Sequence, residues 1–235
     1  MYDIPRFLFG LIIYLIIIIL SFIPLFKFKL VDILMSINHY IFGFNKTIVR
    51  DYRKFKHDSK ILLFQHNSYY DFYALVQYLK TQNLTCIIDS KLLKVPIMGT
   101  ILKNFKCIVI NKKQKNNSQK IIDYINNPQK NKYIAIAPSA GKGTLEDPIG
   151  SFKTSAFIPM KPVTPVLIRY KDNKTCWFES DNIKRWFLDI FRFRRFYTCE
   201  LIILEEITAE GCKTPREFAD KVEKYMKDAY NDRYI

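Results

Sequence analysis

The stretch Ile61–Thr81, ILLFQHNSYYDFYALVQYLKT, decides the fold. Its first five residues, Ile61–Gln65, are four apolar residues and a glutamine, a compact run of strand length. From Asp71 the pattern changes, and apolar residues recur at helical spacing through Thr81. A strand that runs into a helix through a short polar turn is half of a βαβ unit. Apolar strand runs follow at Thr85–Asp89, Cys107–Asn111, Tyr133–Ala137, Pro162–Tyr170, Thr175–Phe178 and Glu200–Ile207, with helical patterns at Met98–Asn104 and Ser118–Asn126. Strands alternating with helices predict an α/β domain with a mostly parallel sheet flanked by helices. The chain's last helix is announced by Thr214 as cap, Pro215 at the first helical position and Glu217 closing a capping box. Phe218, Val222, Tyr225 and Ala229 form its apolar stripe.

Upstream the composition changes. Phe7–Phe26 reads FLFGLIIYLIIIILSFIPLF, twenty residues without a charge. As a helix it would cover roughly 30 Å, the thickness of a bilayer's hydrocarbon core. Lys27, Lys29, Lys46, Arg50, Arg53, Lys54 and Lys56 follow it and only Arg6 precedes it, which assigns the rest of the chain to the cytoplasmic face of a membrane. Leu30–Phe44 has apolar residues at helical spacing; it reads equally as a helix in the headgroup layer or as one packed on the domain. The expected organisation is residues 1–45 as membrane-embedded and interfacial helices, and 46–235 as the α/β domain.

The chain has 37 basic residues against 22 acidic ones, a formal net charge of +15. An anionic partner is implied, whether lipid surface, phosphorylated metabolite or nucleic acid. The charge is dispersed along the chain, so nucleic acid is not the expected partner. Trp177–Tyr197 interleaves aromatics with Lys184, Arg185, Arg192, Arg194 and Arg195; it could rest on anionic lipid, stack bases or pack in a core. Five scattered cysteines with no C-x-x-C pair point away from a disulfide framework or a structural zinc site, and no metal or bound cofactor is implied.

Histidine is scarce, with only His39, His57 and His66. His66 follows directly on the strand and Asp71 opens the helix, at the carboxyl end of a strand where α/β proteins bind ligands. Imidazole is the side chain suited to accept a proton near neutrality, and a carboxylate on one ring nitrogen fixes its tautomer. The chain has no G-x-S-x-G elbow, and no cysteine lies close in sequence to His66, so direct attack by a substrate hydroxyl is the simpler chemistry. The turn Gly141–Lys142–Gly143 offers backbone N–H groups beside a lysine, an anion cradle.

HNSYYD resembles the H-x-x-x-x-D signature of the glycerolipid acyltransferases of the 1-acylglycerol-3-phosphate type. Lys91–Lys113 is similar to that family's second block, with Pro96, Gly99 and Lys112 in the expected places and Lys112 where arginine is usual. Ala137–Thr144 (APSAGKGT) stands where the family has a Pro-Glu-Gly-Thr-Arg-like turn. Gly150–Phe157 and Lys161–Ile168 resemble the closing blocks. Ser139 replaces the family's glutamate, leaving Glu146 and Asp147 as the nearby carboxylates able to compensate.

The resemblance implies an enzyme that moves a fatty acyl group from acyl-CoA to the free hydroxyl of a lysophospholipid, lysophosphatidic acid first. His66 would be the base and Asp71 its orienting group. Lys112, Gly141, Lys142 and Gly143 would hold the acceptor's phosphate or the oxyanion, beside membrane lipid. A phospholipid transacylase, a neutral-glyceride acyltransferase or a non-catalytic lipid-binding protein are the alternatives.

Overall fold

The computed structural model describes residues 8–9, 12, 15–16, 19, 44–52, 59–68, 71–79, 84–94, 107–111, 117–127, 133–139, 143–144, 146–170 and 197–232. Seven strands form one sheet: β1 (Phe44–Asp51), β2 (Ile61–Phe64), β3 (Leu84–Asp89), β4 (Ile108–Ile110), β5 (Tyr133–Ile136), β6 (Thr164–Tyr170) and β7 (Tyr197–Ile203). Their order across the sheet is β1-β7-β6-β2-β5-β3-β4. All described pairings are parallel except β6 with β7. Among the described residues the sheet is accompanied by the helices α1 (Asp71–Leu79), α2 (Asn117–Asn126) and α3 (Pro215–Asn231). The α/β reading with a mostly parallel sheet is met.

β2 is the hinge of the topology. After it the chain builds β3, β4 and β5 on one side, then crosses to place β6 on the other. Such a reversal opens a crevice at the strand's carboxyl end. The whole of β2 is apolar because both its faces are covered. Ile61 and Leu63 join the core formed with Ile121 and Ile125 of α2 and Phe218, Val222 and Met226 of α3. Leu62 and Phe64 point the other way, into a second core with Ala74 and Leu75 of α1. Burying one such side chain is worth about 1.5–3 kcal/mol, so a slip in register would cost several of them together.

The last helix starts as its sequence signals. Thr214 Oγ1 accepts from Glu217 N at 3.2 Å, with Pro215 in the first turn. Glu217's carboxylate reaches one residue further back than a capping box requires, taking Lys213 N at 2.7 Å. Met226, rather than the half-buried Tyr225, completes the buried stripe.

β1 has no counterpart in the sequence reading, and it begins at Phe44, ahead of the boundary drawn at residue 46. It is an edge strand of mixed polarity, FNKTIVRD, with Val49 41% exposed. Its register comes from β7, some 150 residues away, where Arg50 pairs with Glu200 at 3.2 Å. β7 itself starts at Tyr197, earlier than its apolar run, because it pairs on both sides.

Two cations close the ends of helices. Arg169 donates to the carbonyls of Ala229, Tyr230 and Asp232 at the end of α3, and Lys161 to those of Ile125 and Asn126 at the end of α2. Positive groups there satisfy the last carbonyls and complement the helix dipole.

Of the N-terminal apolar run, the described residues Leu8, Phe9, Ile12, Leu15, Ile16 and Ile19 are helical and exposed. Among the described residues no helix is long and apolar enough to cross a membrane. The helix read at Met98–Asn104, the strand at Thr175–Phe178 and nearly all of Leu30–Phe44 and Trp177–Tyr197 lie outside the described residues.

Candidate active site

The turn from β2 into α1 is tied by a single carboxylate. Asp71 Oδ2 accepts from Asn67 N at 2.8 Å and Ser68 N at 2.9 Å, while Asp71 N donates to Ser68 O at 3.1 Å. The same Oδ2 lies 3.0 Å from His66 Nδ1. This closure explains the spacing of five: the carboxylate that opens the helix folds back over the turn and meets the last residue before it. An anionic group is also favoured at a helix N-terminus.

The pair is asymmetric in exposure. Asp71's side chain is 1% exposed and His66's 33%. An ionised carboxylate only accepts hydrogen bonds, so His66 Nδ1 carries the hydrogen and Nε2 is the basic nitrogen. Phe64 meets the imidazole edge-on, ring centroids 5.6 Å apart. Asp71 Oδ1 accepts from the hydroxyl of Tyr170, the last residue of β6, at 2.5 Å. Tyr170 did not figure among the site residues read from the sequence. The signal for it is positional: β6 borders β2, so the residue ending β6 stands beside the turn that β2 enters.

Gly143 is brought against that turn. A β-carbon on it would lie 2.6 Å from Asn67 Oδ1 and 2.3 Å from the carbonyl oxygen of Pro148. Glycine is needed here for close approach, because a backbone carbonyl cannot swing aside as a long side chain can. Gly143→Ala should therefore cost about 1–3 kcal/mol of stability through overpacking and lower the turnover rate, as read by thermal melting beside an acyl-transfer assay.

Ser139 is buried, and its hydroxyl has no hydrogen-bond partner among the described residues; neither do Asn67 Oδ1 and Gln65 Oε1. Gln65 Nε2 is anchored, donating to Ile168 O at 2.6 Å. The segment after Gly143 is braced instead through Asp147. Asp147 N donates to Thr144 Oγ1 at 3.0 Å, and its Oδ1 accepts from Gly150 N at 3.1 Å. Lys227 of α3 meets Asp147 at 2.8 Å and Glu223 at 3.0 Å, and Glu223 also accepts from Phe152 N at 2.7 Å.

Hydrogen bonding to Asp147, reinforced by Glu223, holds the Lys227 ammonium above its ordinary value. The folded chain thus binds that proton more tightly than the unfolded one. The bridge's contribution is complete below about 10.5, the ordinary lysine value, and is lost as the pH rises through the higher folded value. Lys227→Met should lower Tm by a few degrees at neutral pH, and the melting curves of variant and wild type should converge in strongly alkaline buffer.

Lys112, Gly141 and Lys142 lie outside the described residues. Among the described residues no group of acidic, histidine and cysteine side chains could hold a metal ion, and Cys86, Cys107, Cys199 and Cys212 form no disulfide with one another.

A family model described as Acyltransferase matches residues 46–169, from β1 through the penultimate residue of β6. The chain belongs to the acyltransferase family. The matched segment of this acyltransferase-family chain contains both His66 and Asp71 and the Gly143 turn. Lysophosphatidylcholine acyltransferase 1 of Homo sapiens is 23% identical over 196 residues, 80% of this chain and 36% of that protein. The Danio rerio protein of the same name is 25% identical over 172 residues, 70% of this chain and 32% of the relative. The acyltransferase-family chain thus spans about a third of the length of the curated relatives it matches. Its fold is that of the 1-acyl-sn-glycerophosphate (LPA) acyltransferase PlsC from Thermotoga maritima, with a TM-score of 0.58 over 98% of this chain and 99% of that one, at 14% identity.

Proposed function

We propose that this chain transfers a fatty acyl group from an acyl thioester, acyl-CoA by preference, to the free hydroxyl of a lysophospholipid. The observation that carries the reading is the contact of a half-buried imidazole with a fully buried carboxylate at the carboxyl end of β2. His66 Nε2 takes the proton of the acceptor hydroxyl as its oxygen attacks the thioester carbonyl. The tetrahedral oxyanion then collapses, the C–S bond breaks, and the imidazolium returns its proton to the departing thiolate. Asp71 keeps the ring in register and stabilises its cationic form. Lys112, Lys142 and the backbone N–H groups of Gly141–Gly143 would take the phosphate of the acceptor or the oxyanion.

Lysophosphatidic acid is the first acceptor to try, on the resemblance and the PlsC fold. Lysophosphatidylcholine is the second, because the curated relatives are named for it. The apolar Phe7–Phe26 run, whose described residues form an exposed apolar helix face, suits a segment immersed in membrane lipid, with the domain of residues 46–235 on the cytoplasmic side. Acyl chains would then stay in lipid while polar groups meet at the end of β2.

The test is a panel of lysolipids and diacylglycerol incubated with purified protein and either isotope-labelled oleoyl-CoA or oleoyl-labelled phosphatidylcholine as donor, read by lipid mass spectrometry. Label in phosphatidic acid or phosphatidylcholine supports the reading. Label appearing only in triglyceride, or only when an intact phospholipid is the donor, points to the neutral-glyceride or transacylase reaction. No label in any lipid refutes acyl transfer and leaves a lipid-binding protein.

A further inference from the structure

We propose that Tyr170 is a positioning residue for the His66–Asp71 pair, setting both the orientation and the acceptor strength of the carboxylate. The inference rests on the reading of His66 as the base. Asp71's two oxygens have separate duties. Oδ2 takes the imidazole Nδ1 and two backbone N–H groups, whereas Oδ1 takes the Tyr170 hydroxyl. Backbone donors alone would fix one oxygen and leave the carboxylate free to turn about it. The phenol pins the second oxygen, so the plane of the group, and with it the line to Nδ1, is determined.

The phenol itself stands on a rigid support. Tyr170 pairs with Cys199 in the antiparallel β6–β7 ladder, and Gln65, immediately before His66, is bonded to Ile168 O on the same strand. His66 and Tyr170 are therefore referenced to one piece of backbone, and the pair cannot drift relative to the phenol without breaking the Gln65–Ile168 bond and the β2–β6 pairing.

There is an electronic consequence too. A hydroxyl facing an ionised carboxylate must donate, and a charge-assisted bond of this kind draws negative charge toward the oxygen it meets. With Oδ1 so engaged, Oδ2 is a weaker acceptor for the imidazolium. The ring is oriented without being trapped in its protonated form, and it gives the proton back when the thiolate leaves. Removing the phenolic oxygen should loosen the geometry and overstabilise the imidazolium together.

The test compares Tyr170→Phe with wild type in the full chain, using labelled oleoyl-CoA and whichever lysolipid is turned over. The expected result is a fall in kcat of about tenfold to a hundredfold, the scale of a small misplacement of reacting groups. KM should be nearly unchanged, and the acidic limb of the kcat profile should move to higher pH. In an Asp71→Asn background the same substitution should add little to the loss in kcat, because no carboxylate remains to be tuned, although Tm should fall as the amide NH2 loses its acceptor. A Tyr170→Phe protein with wild-type kcat and an unmoved acidic limb overturns the proposal, as does an equal loss in both backgrounds. Should Tyr170→Phe fold poorly, tyrosine-labelled wild type decides by NMR. One slowly exchanging, downfield phenolic proton is expected, and its absence overturns the assignment. Full activity in His66→Ala would strike the underlying base assignment instead, a distinct outcome.

Discussion

His66→Ala should lower kcat by roughly a hundredfold to ten-thousandfold, the usual contribution of a positioned general base, while the protein stays folded. The two halves of that expectation have separate grounds. A hydroxyl is a poor nucleophile unless its proton leaves as the new bond forms. Among the described residues near the end of β2, the group built to take that proton is an imidazole whose Nδ1 is held at 3.0 Å by a carboxylate. The fold, by contrast, hardly depends on the ring. It is a third exposed, and its described aromatic contact is the edge-on approach to Phe64, worth about 0.5–1.5 kcal/mol. The two buried cores on either face of β2 do not include it. The measurement is consumption of labelled acyl-CoA by wild type and variant at matched thermal midpoint. Turnover within a few-fold of wild type would remove His66 from the chemistry and turn attention to a substrate-assisted route. A collapse of both activity and Tm would show that the ring supports the turn rather than the reaction.

What the sequence conveyed about this protein, and what it hid, divides along the range of the interactions involved. The β2–turn–α1 unit was legible because its causes are local: an apolar run, a polar turn, and a carboxylate that closes the turn upon itself. The same holds for α3, whose cap and first-turn proline are neighbours in the chain. β1 was hidden because its polar sequence has no inward-facing periodicity; it exists through pairing with β7. Tyr170 was hidden for a related reason. Nothing in the tail of KPVTPVLIRY marks that residue, and its meeting with Asp71, ninety-nine positions earlier, depends on β6 lying beside β2. The support for the altered third block was equally non-local. Asp147 meets Lys227 on the last helix, a contact that no reading of residues 137–157 contains. Three of the cations behind the net charge, Arg169, Lys161 and Lys227, answer to carbonyls and carboxylates of the fold itself, which the sequence does not mark.

Asp71→Asn should be the sharper probe of mechanism, with a fall in kcat on the order of a hundredfold to a thousandfold and little loss of stability. An asparagine at 71 is nearly isosteric, and its amide has one favourable orientation. Its oxygen must occupy the place of Oδ2, because Asn67 N, Ser68 N and His66 Nδ1 all present hydrogen there. The NH2 group then faces the Tyr170 hydroxyl, which can reverse its role and accept, as a phenol is able to do. Both ends stay satisfied, so the penalty of about 1–3 kcal/mol for a buried group left unpaired is avoided. The two backbone donors also disfavour the flipped amide that would donate to Nδ1, so the imidazole keeps its tautomer. What disappears is the charge. The imidazolium formed in the transition state meets a neutral dipole in place of an anion, and a charge-assisted bond weakens by about 3–4 kcal/mol to give the stated loss at 1.36 kcal/mol per tenfold. KM for the lysolipid should hardly move, because Asp71 is fully buried and so out of reach of a bound acceptor. Asp71→Ala should behave differently, losing stability as well, since two N–H groups and a phenol are then left facing a void. Melting curves and steady-state kinetics on the two variants separate the outcomes. If Asp71→Asn turned over at the wild-type rate, the carboxylate would be a device for closing the β2–α1 turn and nothing more. If it unfolded like Asp71→Ala, the negative charge would be needed for the turn itself.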